Sequence, residues 1–205
     1  MKYTTLPNTD IKVSKICLGT MTWGEQNTEA EGHEQIEFAL EKGVNFLDTA
    51  EMYSIPGKAE TQGSTEKIIG TWFKKSGKRE DVILTSKVVG PGNSMEHIRD
   101  NLGFSKEAIT DALHKSLKRL QTDYIDLYLT HFDDEETPVE EALEAYQKFM
   151  TSGEIKHIGA SNFSAERLQK SITVAAEKDL PAYEVFQPEY NLMVRDKFEG
   201  KIKKI

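Results

Sequence analysis

Short apolar runs alternate along the chain with longer stretches in which apolar residues recur every three or four positions. The runs are Ile16–Leu18, Val44–Leu47, Val82–Leu84, Ile125–Leu129, Ile155–Ile158 and Tyr183–Phe186. Several are β-branched or aromatic, and each is too short for an ordinary helix, so six strands are predicted. Between them, Ile36 and Leu40 share a face, and Ile68, Ile69, Trp72 and Phe73 repeat at a spacing of four. Ile109, Leu113, Leu117 and Leu120 make one stripe, and Leu168, Ile172 and Ala176 another. Thr28 with Glu31 forms a capping box before the first helix, and Gly43 closes it. Ser105 caps the third. Thr137, Pro138 and Glu140 supply a cap, a first-turn proline and a capping-box acid for the fourth, which Gly153 ends. A last helix begins near the C-terminus. Upstream, Tyr3–Thr5 and Ile11–Val13 flank a Leu6–Asp10 turn and predict an antiparallel hairpin.

Strict strand–helix alternation implies a parallel sheet. The first strand runs into ICLGTMTWG, which lacks the G-x-G-x-x-G turn of a dinucleotide-binding sheet. That turns the reading from a Rossmann fold towards a (β/α)₈ TIM barrel of the α/β class, here a β-hairpin plus about six βα units. Six strands do not close at eight-strand curvature, so the first and sixth are expected to leave open edges.

Composition narrows the partners. The 205 residues suffice for one core and are too few for two domains, so residues 1–205 are read as a single domain. The net charge of −8, with no Lys/Arg stripe to offset it, argues against nucleic acid. The basic tail Arg195–Ile205 reads as a solvated helix face. Cys17 is the one cysteine; it can form no intrachain disulfide, and its neighbours Ile16 and Leu18 suggest a buried structural thiol. No segment approaches the ~18 apolar residues of a membrane span and the N-terminus lacks a signal-peptide core, so no membrane partner and a cytoplasmic location are expected. The acidic run Asp133–Glu136 reads as a solvated loop, not a metal site.

In a βα barrel, chemistry collects at the C-terminal ends of the strands. Those ends carry Gly19-Thr20, Asp48, Lys87, His131, Ser161-Asn162 and Gln187, with Tyr53 in the loop after Asp48. Four of these combine into one mechanism. A phenol with a pKa near ~10 is a poor acid at neutral pH. An adjacent ammonium lowers that pKa, and a carboxylate keeps the ammonium charged and fixed. An imidazole orients a carbonyl beside them. Asp48, Tyr53, Lys87 and His131 are that set, and the chemistry expected of it is carbonyl reduction with hydride from a cofactor. Taken singly, each has a plain reading: Asp48 as a helix cap, Tyr53 as a loop aromatic, Lys87 as a snorkelling strand-end lysine. His33, His97, His114 and His157 are given no role.

The segments GTMTWG, NFLDTAEMY, ILTSK, YIDLYLTH, IKHIGASNF and QPEYN, in this order and spacing, resemble the aldo-keto reductase superfamily. The resemblance is to its bacterial branch related to the voltage-gated potassium channel β-subunits. It runs from Lys2 to the chain end and corresponds to the family's first two-thirds or so. A barrel domain incomplete at the C-terminus is therefore expected. The resemblance implies an NADP(H)-dependent reductase of aldehydes or ketones. It makes Tyr53 the general acid, Lys87 and Asp48 its tuning pair, and His131 the group that steers the carbonyl. It implies that Ser161, Asn162 and Gln187 bond the nicotinamide carboxamide, that Gly19, Thr20 and Met21 lie against the cofactor, and that Trp23 borders the substrate pocket with Tyr53 and His131. The expected partner is a small carbonyl substrate, and a homo-oligomer is compatible with the sequence. The alternatives are a cofactor-binding regulatory or assembly subunit, or a chain inactive as expressed.

Overall fold

The computed structural model describes residues 1–90, 96–134 and 136–205. The predicted hairpin is formed by β1 (Tyr3–Thr5) and β2 (Lys12–Ser14), paired antiparallel with Thr4 opposite Val13. Six further strands follow: β3 (Leu18–Gly19), β4 (Phe46–Asp48), β5 (Ile83–Val88), β6 (Ile125–Thr130), β7 (Ile155–Ser161) and β8 (Val185–Gln187). They form one parallel sheet in sequential order. The intervening helices are α1 (Glu29–Glu41), α2 (Ser64–Ser76), α3 (Lys106–Leu120), α4 (Val139–Ser152) and α5 (Ala165–Lys178). A short α6 (Arg195–Glu199) and a 3-10 turn at Ile202–Lys204 come last.

The helix ends show why the chain breaks where it does. The Thr28 hydroxyl accepts from the Glu31 N–H while the Glu31 carboxylate accepts from the Thr28 N–H, so the predicted capping box is complete. Ser105 caps α3 by accepting from the Ala108 N–H, and Gly153 ends α4 in the left-handed conformation at φ 82°. The start of α4 differs from expectation. Pro138 occupies the N-cap position, and the Thr137 hydroxyl donates instead to Asp134 Oδ2 at 2.6 Å. Within the acidic run expected to be solvated, Glu136 is exposed but Asp134 is buried, and its Oδ1 accepts the Glu136 N–H; Glu135 lies outside the described residues. On α5, Ala175 is buried and Ala176 exposed, a shift of one position in the stripe.

Side chains on the helix-facing side of the sheet, including Leu47, Leu84, Tyr128 and Ile158, join Ile36, Ile69, Trp72, Ile109, Leu113, Tyr146 and Phe149 in the main core. Two glycines set close approaches. A Cβ on Gly70 in α2 would lie 2.2 Å from the Arg119 carbonyl oxygen of α3. A Cβ on Gly159 in β7 would lie 2.4 Å from Leu129 Cδ2 and 2.6 Å from the Val185 oxygen. The edge strand β3 has no second neighbour among the described residues. Cys17, expected to be buried, is exposed there, beside an Ile16 that keeps 59% of its surface.

The sheet curls. In a flat sheet β8 would stand four strands from β4, about 19 Å away at ~4.8 Å per strand. Yet Gln187 at the end of β8 donates from Nε2 to Asp48 Oδ2 at the end of β4 over 3.0 Å. Only a strongly curved sheet lets one side-chain pair span that gap, and the curvature gathers the strand ends into one rim.

Candidate active site

The ammonium of Lys87, at the end of β5, is the centre of this rim and retains 1% of its side-chain exposure. A buried ammonium needs a partner for each of its three N–H bonds. Here it donates to Asp48 Oδ1 at 2.5 Å and the Thr49 carbonyl at 2.8 Å, and it reaches the Tyr53 hydroxyl at 3.5 Å. The carboxylate of Asp48 is held from both sides, by Lys87 on Oδ1 and by Gln187 on Oδ2. Its carbonyl is also fixed, by the N–H and hydroxyl of Thr20 at 3.1 and 2.8 Å.

Tyr53 enters from the loop after β4, whose Thr49 and Glu51 N–H groups donate to the Thr85 and Lys87 carbonyls as though the strand continued. His131, one residue past β6, donates its N–H to the Val88 carbonyl, packs edge-on to Tyr53 with ring centres 5.8 Å apart, and stacks on Phe132 at 4.5 Å. Burial, and after it the Lys87 charge, pulls the imidazole pKa down to about 3, so it is neutral at physiological pH. At Tyr53 the lowering expected from the neighbouring Lys87 is not the net outcome. The net direction is upward, because desolvation outweighs Lys87 and the Asp48 charge adds to it. Tyr53 is therefore held as the protonated phenol.

A polar ladder continues from His131. Asn162, at φ 55°, donates from Nδ2 to the His131 carbonyl and to Ser161 Oγ, both at 3.0 Å, and Ser161 Oγ donates to the Gln187 carbonyl at 2.8 Å. Among the described residues neither Asn162 Oδ1 nor Gln187 Oε1 takes up a protein donor, so two acceptors remain at the rim. Space opens beyond Gly19, where an added Cβ would meet nothing within 4 Å, and Met21 is exposed nearby.

Geometry thus brings together Asp48, Tyr53, Lys87, His131, Ser161, Asn162 and Gln187, with Thr20 beneath them. It does not bring Trp23 to the pocket. That indole is 1% exposed, lies in the main core over Gly32 of α1, and donates to Gln35 Oε1 at 3.0 Å. Two residues escaped the sequence reading, Glu51 and Arg99, a fully buried ion pair next to Tyr53. No group of His, Cys, Asp and Glu able to hold a metal occurs among the described residues, nor is any helix of the described residues long and apolar enough to cross a membrane.

A curled parallel βα sheet with a buried lysine set between a carboxylate and a phenol at its C-terminal rim defines a barrel-type protein with a polar cluster at the strand ends. The chain belongs to the aldo/keto reductase family, whose sequence profile matches residues 15–205 and whose fold is the (β/α)₈ barrel. It is 39% identical to Protein tas of Escherichia coli (strain K12), over 95% of this chain and 62% of that protein. It is 39% identical to the uncharacterized oxidoreductase YrpG of Bacillus subtilis (strain 168), over 95% and 60% of the two chains. A probable voltage-gated potassium channel subunit beta of Oryza sativa subsp. japonica is 33% identical over 98% of this chain and 58% of its own length. The chain spans about three-fifths of the length of these relatives.

Proposed function

We propose that this protein is an oxidoreductase that reduces aldehydes or ketones to alcohols with NADPH, using Tyr53 as general acid. The observation that carries the reading is the buried Lys87 ammonium, bonded to Asp48 and within reach of the Tyr53 hydroxyl. Reduction of a carbonyl needs a hydride, which a dihydronicotinamide supplies when bound, and a proton. Tyr53 donates that proton to the carbonyl oxygen as the alkoxide develops, and Lys87 stabilises the phenolate left behind. Neutral His131 directs the carbonyl oxygen by hydrogen bonding without competing as an acid. The residues present fit a carboxamide. Asn162 Oδ1 and Gln187 Oε1 are acceptors suited to its NH₂ group, and the open rim at Gly19 and Met21 leaves room for a flat ring.

A regulatory cofactor-binding role in place of catalysis, the alternative beside the name of the rice relative as a channel subunit, does not require an ammonium buried between carboxylate and phenol. The deciding experiment follows NADPH absorbance in the presence of aliphatic and aromatic aldehydes, ketones and quinones. Turnover of at least one class is expected. Tight NADPH binding with no oxidation by any of them would replace this reading with the regulatory one.

A further inference from the structure

Beyond the proton-transfer set lies a buried ion pair that the reaction itself does not use. Glu51 and Arg99 retain 1% and 0% of their side-chain exposure. Oε1 of Glu51 accepts the Val89 N–H at 2.7 Å and Arg99 Nη2 at 3.2 Å, and its Oε2 faces Arg99 Nε at 3.3 Å. Arg99 Nη2 also donates to the Val89 carbonyl at 2.7 Å, and Nη1 donates to the Asn101 carbonyl. Through its main chain, Glu51 donates to the Lys87 carbonyl and accepts from Gln62 Nε2 at 2.6 Å. Three separate segments therefore meet at one carboxylate: the loop carrying Tyr53 two residues on, the end of β5 carrying Lys87 two residues earlier, and residues 96–102. The last of these brings Ile98 and Leu102 to an apolar cluster with Met52 and Val89, against which Tyr53 packs.

Removing two charges from water costs several kcal/mol per ion, so a pair buried this deeply is a weak way to gain stability. Burial pushes the Glu51 carboxyl up, against the opposing pull of Arg99, which is the signature of that cost. Such a pair does have directional value. It fixes the loop bearing the phenol to the strand end bearing the ammonium through bonds that tolerate little displacement.

We propose that Glu51 and Arg99 are positioning residues that hold the Tyr53 hydroxyl in register with the Lys87 ammonium. The proposal rests on the functional reading above for its catalytic meaning, and its test is separable from that reading. Tyr53 is faced by Lys87, Asp48 and His131. Its ionisation can be followed in the whole protein by NMR of ¹³Cζ-labelled tyrosine, with the resonance assigned by its loss in Tyr53→Phe. Lys87→Met is expected to raise the Tyr53 pKa by about one pH unit or more in the otherwise native protein. In the Glu51→Gln/Arg99→Met background, which keeps an acceptor for Val89 and leaves no orphan charge, the same substitution is expected to raise it by less than half as much. Arg99→Lys, which keeps the charge but loses the forked geometry, should fall between and serves if the double variant does not fold.

A parallel kinetic measurement should show kcat down roughly 10–100-fold, with the NADPH Kd within about twofold. Equal responses to Lys87→Met in the native and variant backgrounds would overturn the clamp. No response even in the native protein would overturn the clamp and the Lys87–Tyr53 mechanism together. A native protein that oxidises no NADPH, yet whose two backgrounds respond differently, would sink the functional reading and leave the clamp standing.

Discussion

At the scale of single residues, the candidate site turns on two protonation states that burial fixes. Tyr53 stays a neutral phenol because desolvation outweighs Lys87, so under the proposed mechanism its proton is present for transfer to a developing alkoxide. Tyr53→Phe is accordingly expected to lower kcat by roughly 10²–10⁴-fold with cofactor affinity unchanged. Single-turnover kinetics beside a fluorescence titration of NADPH would check this, and a variant retaining most of its kcat would assign the acid elsewhere. His131 makes a prediction about stability. Its folded pKa of about 3 lies below the unfolded value of 6.5. In that interval the unfolded chain binds a proton that the folded one refuses. Its contribution is complete above pH 6.5 and is lost as pH falls towards 3. The gap in Tm between the native protein and His131→Asn should change steadily over this window and stay flat above it. The tetrad's proximity was legible in the sequence because Asp48, Lys87 and His131 are polar residues at or just past the ends of apolar runs, with Tyr53 in the loop that follows Asp48. Glu51 and Arg99 were not, since an acid in a loop and an arginine 48 positions away carry no local mark of burial. Trp23 misled for the opposite reason: its neighbours in GTMTWG are rim residues, while its own ring faces the helices.

At the scale of elements, the apolar runs located all six parallel strands but stop short of their C-terminal ends, which the polar residues expected at those ends mark. The strand β5 runs on from Leu84 to Val88, and β7 from Ile158 to Ser161, through polar residues such as Ser86 and Lys87 that find partners in both layers. Ser86 Oγ, for example, donates to the buried Glu66 carboxylate of α2 at 2.6 Å. An apolar run stops at its last apolar residue, whereas the ladder continues wherever neighbouring backbone is available. The hydroxyl of Thr137 likewise had two uses open to it, and the buried Asp134 won it from the helix N-terminus. Tight strand packing gives the prediction at this scale. Gly159→Ala places a methyl against Leu129 and the Val185 carbonyl, and overpacking of this kind costs about 1–3 kcal/mol. Thermal unfolding should show Tm lower by roughly 2–12 °C; an unchanged Tm would mean that β8 shifts freely away from β7.

At the scale of the whole molecule, the parallel order was legible and the degree of curvature was not, because curvature depends on contacts between residues far apart in the chain. The bond from Gln187 to Asp48 is the contact that measures it. Gln187→Ala removes a donor to a carboxylate, worth about 1.5–3 kcal/mol. Gln187→Glu sets a second carboxylate against the first and should be the less stable of the two at pH 7.5, the difference narrowing at pH 4.5 as the new group takes up a proton. The reverse order at pH 7.5 would show that the rim relaxes around the charge. The same bond has a consequence for the order of events during synthesis. Lys87 follows Asp48 by 39 residues and can settle its ammonium early, but Gln187 follows by 139. At a ribosomal pace of about 5–20 residues per second, the carboxylate waits roughly 7–28 s for its second partner. The two partners of the carboxylate thus become available at separate times, Lys87 well before Gln187 can draw the end of β8 towards β4.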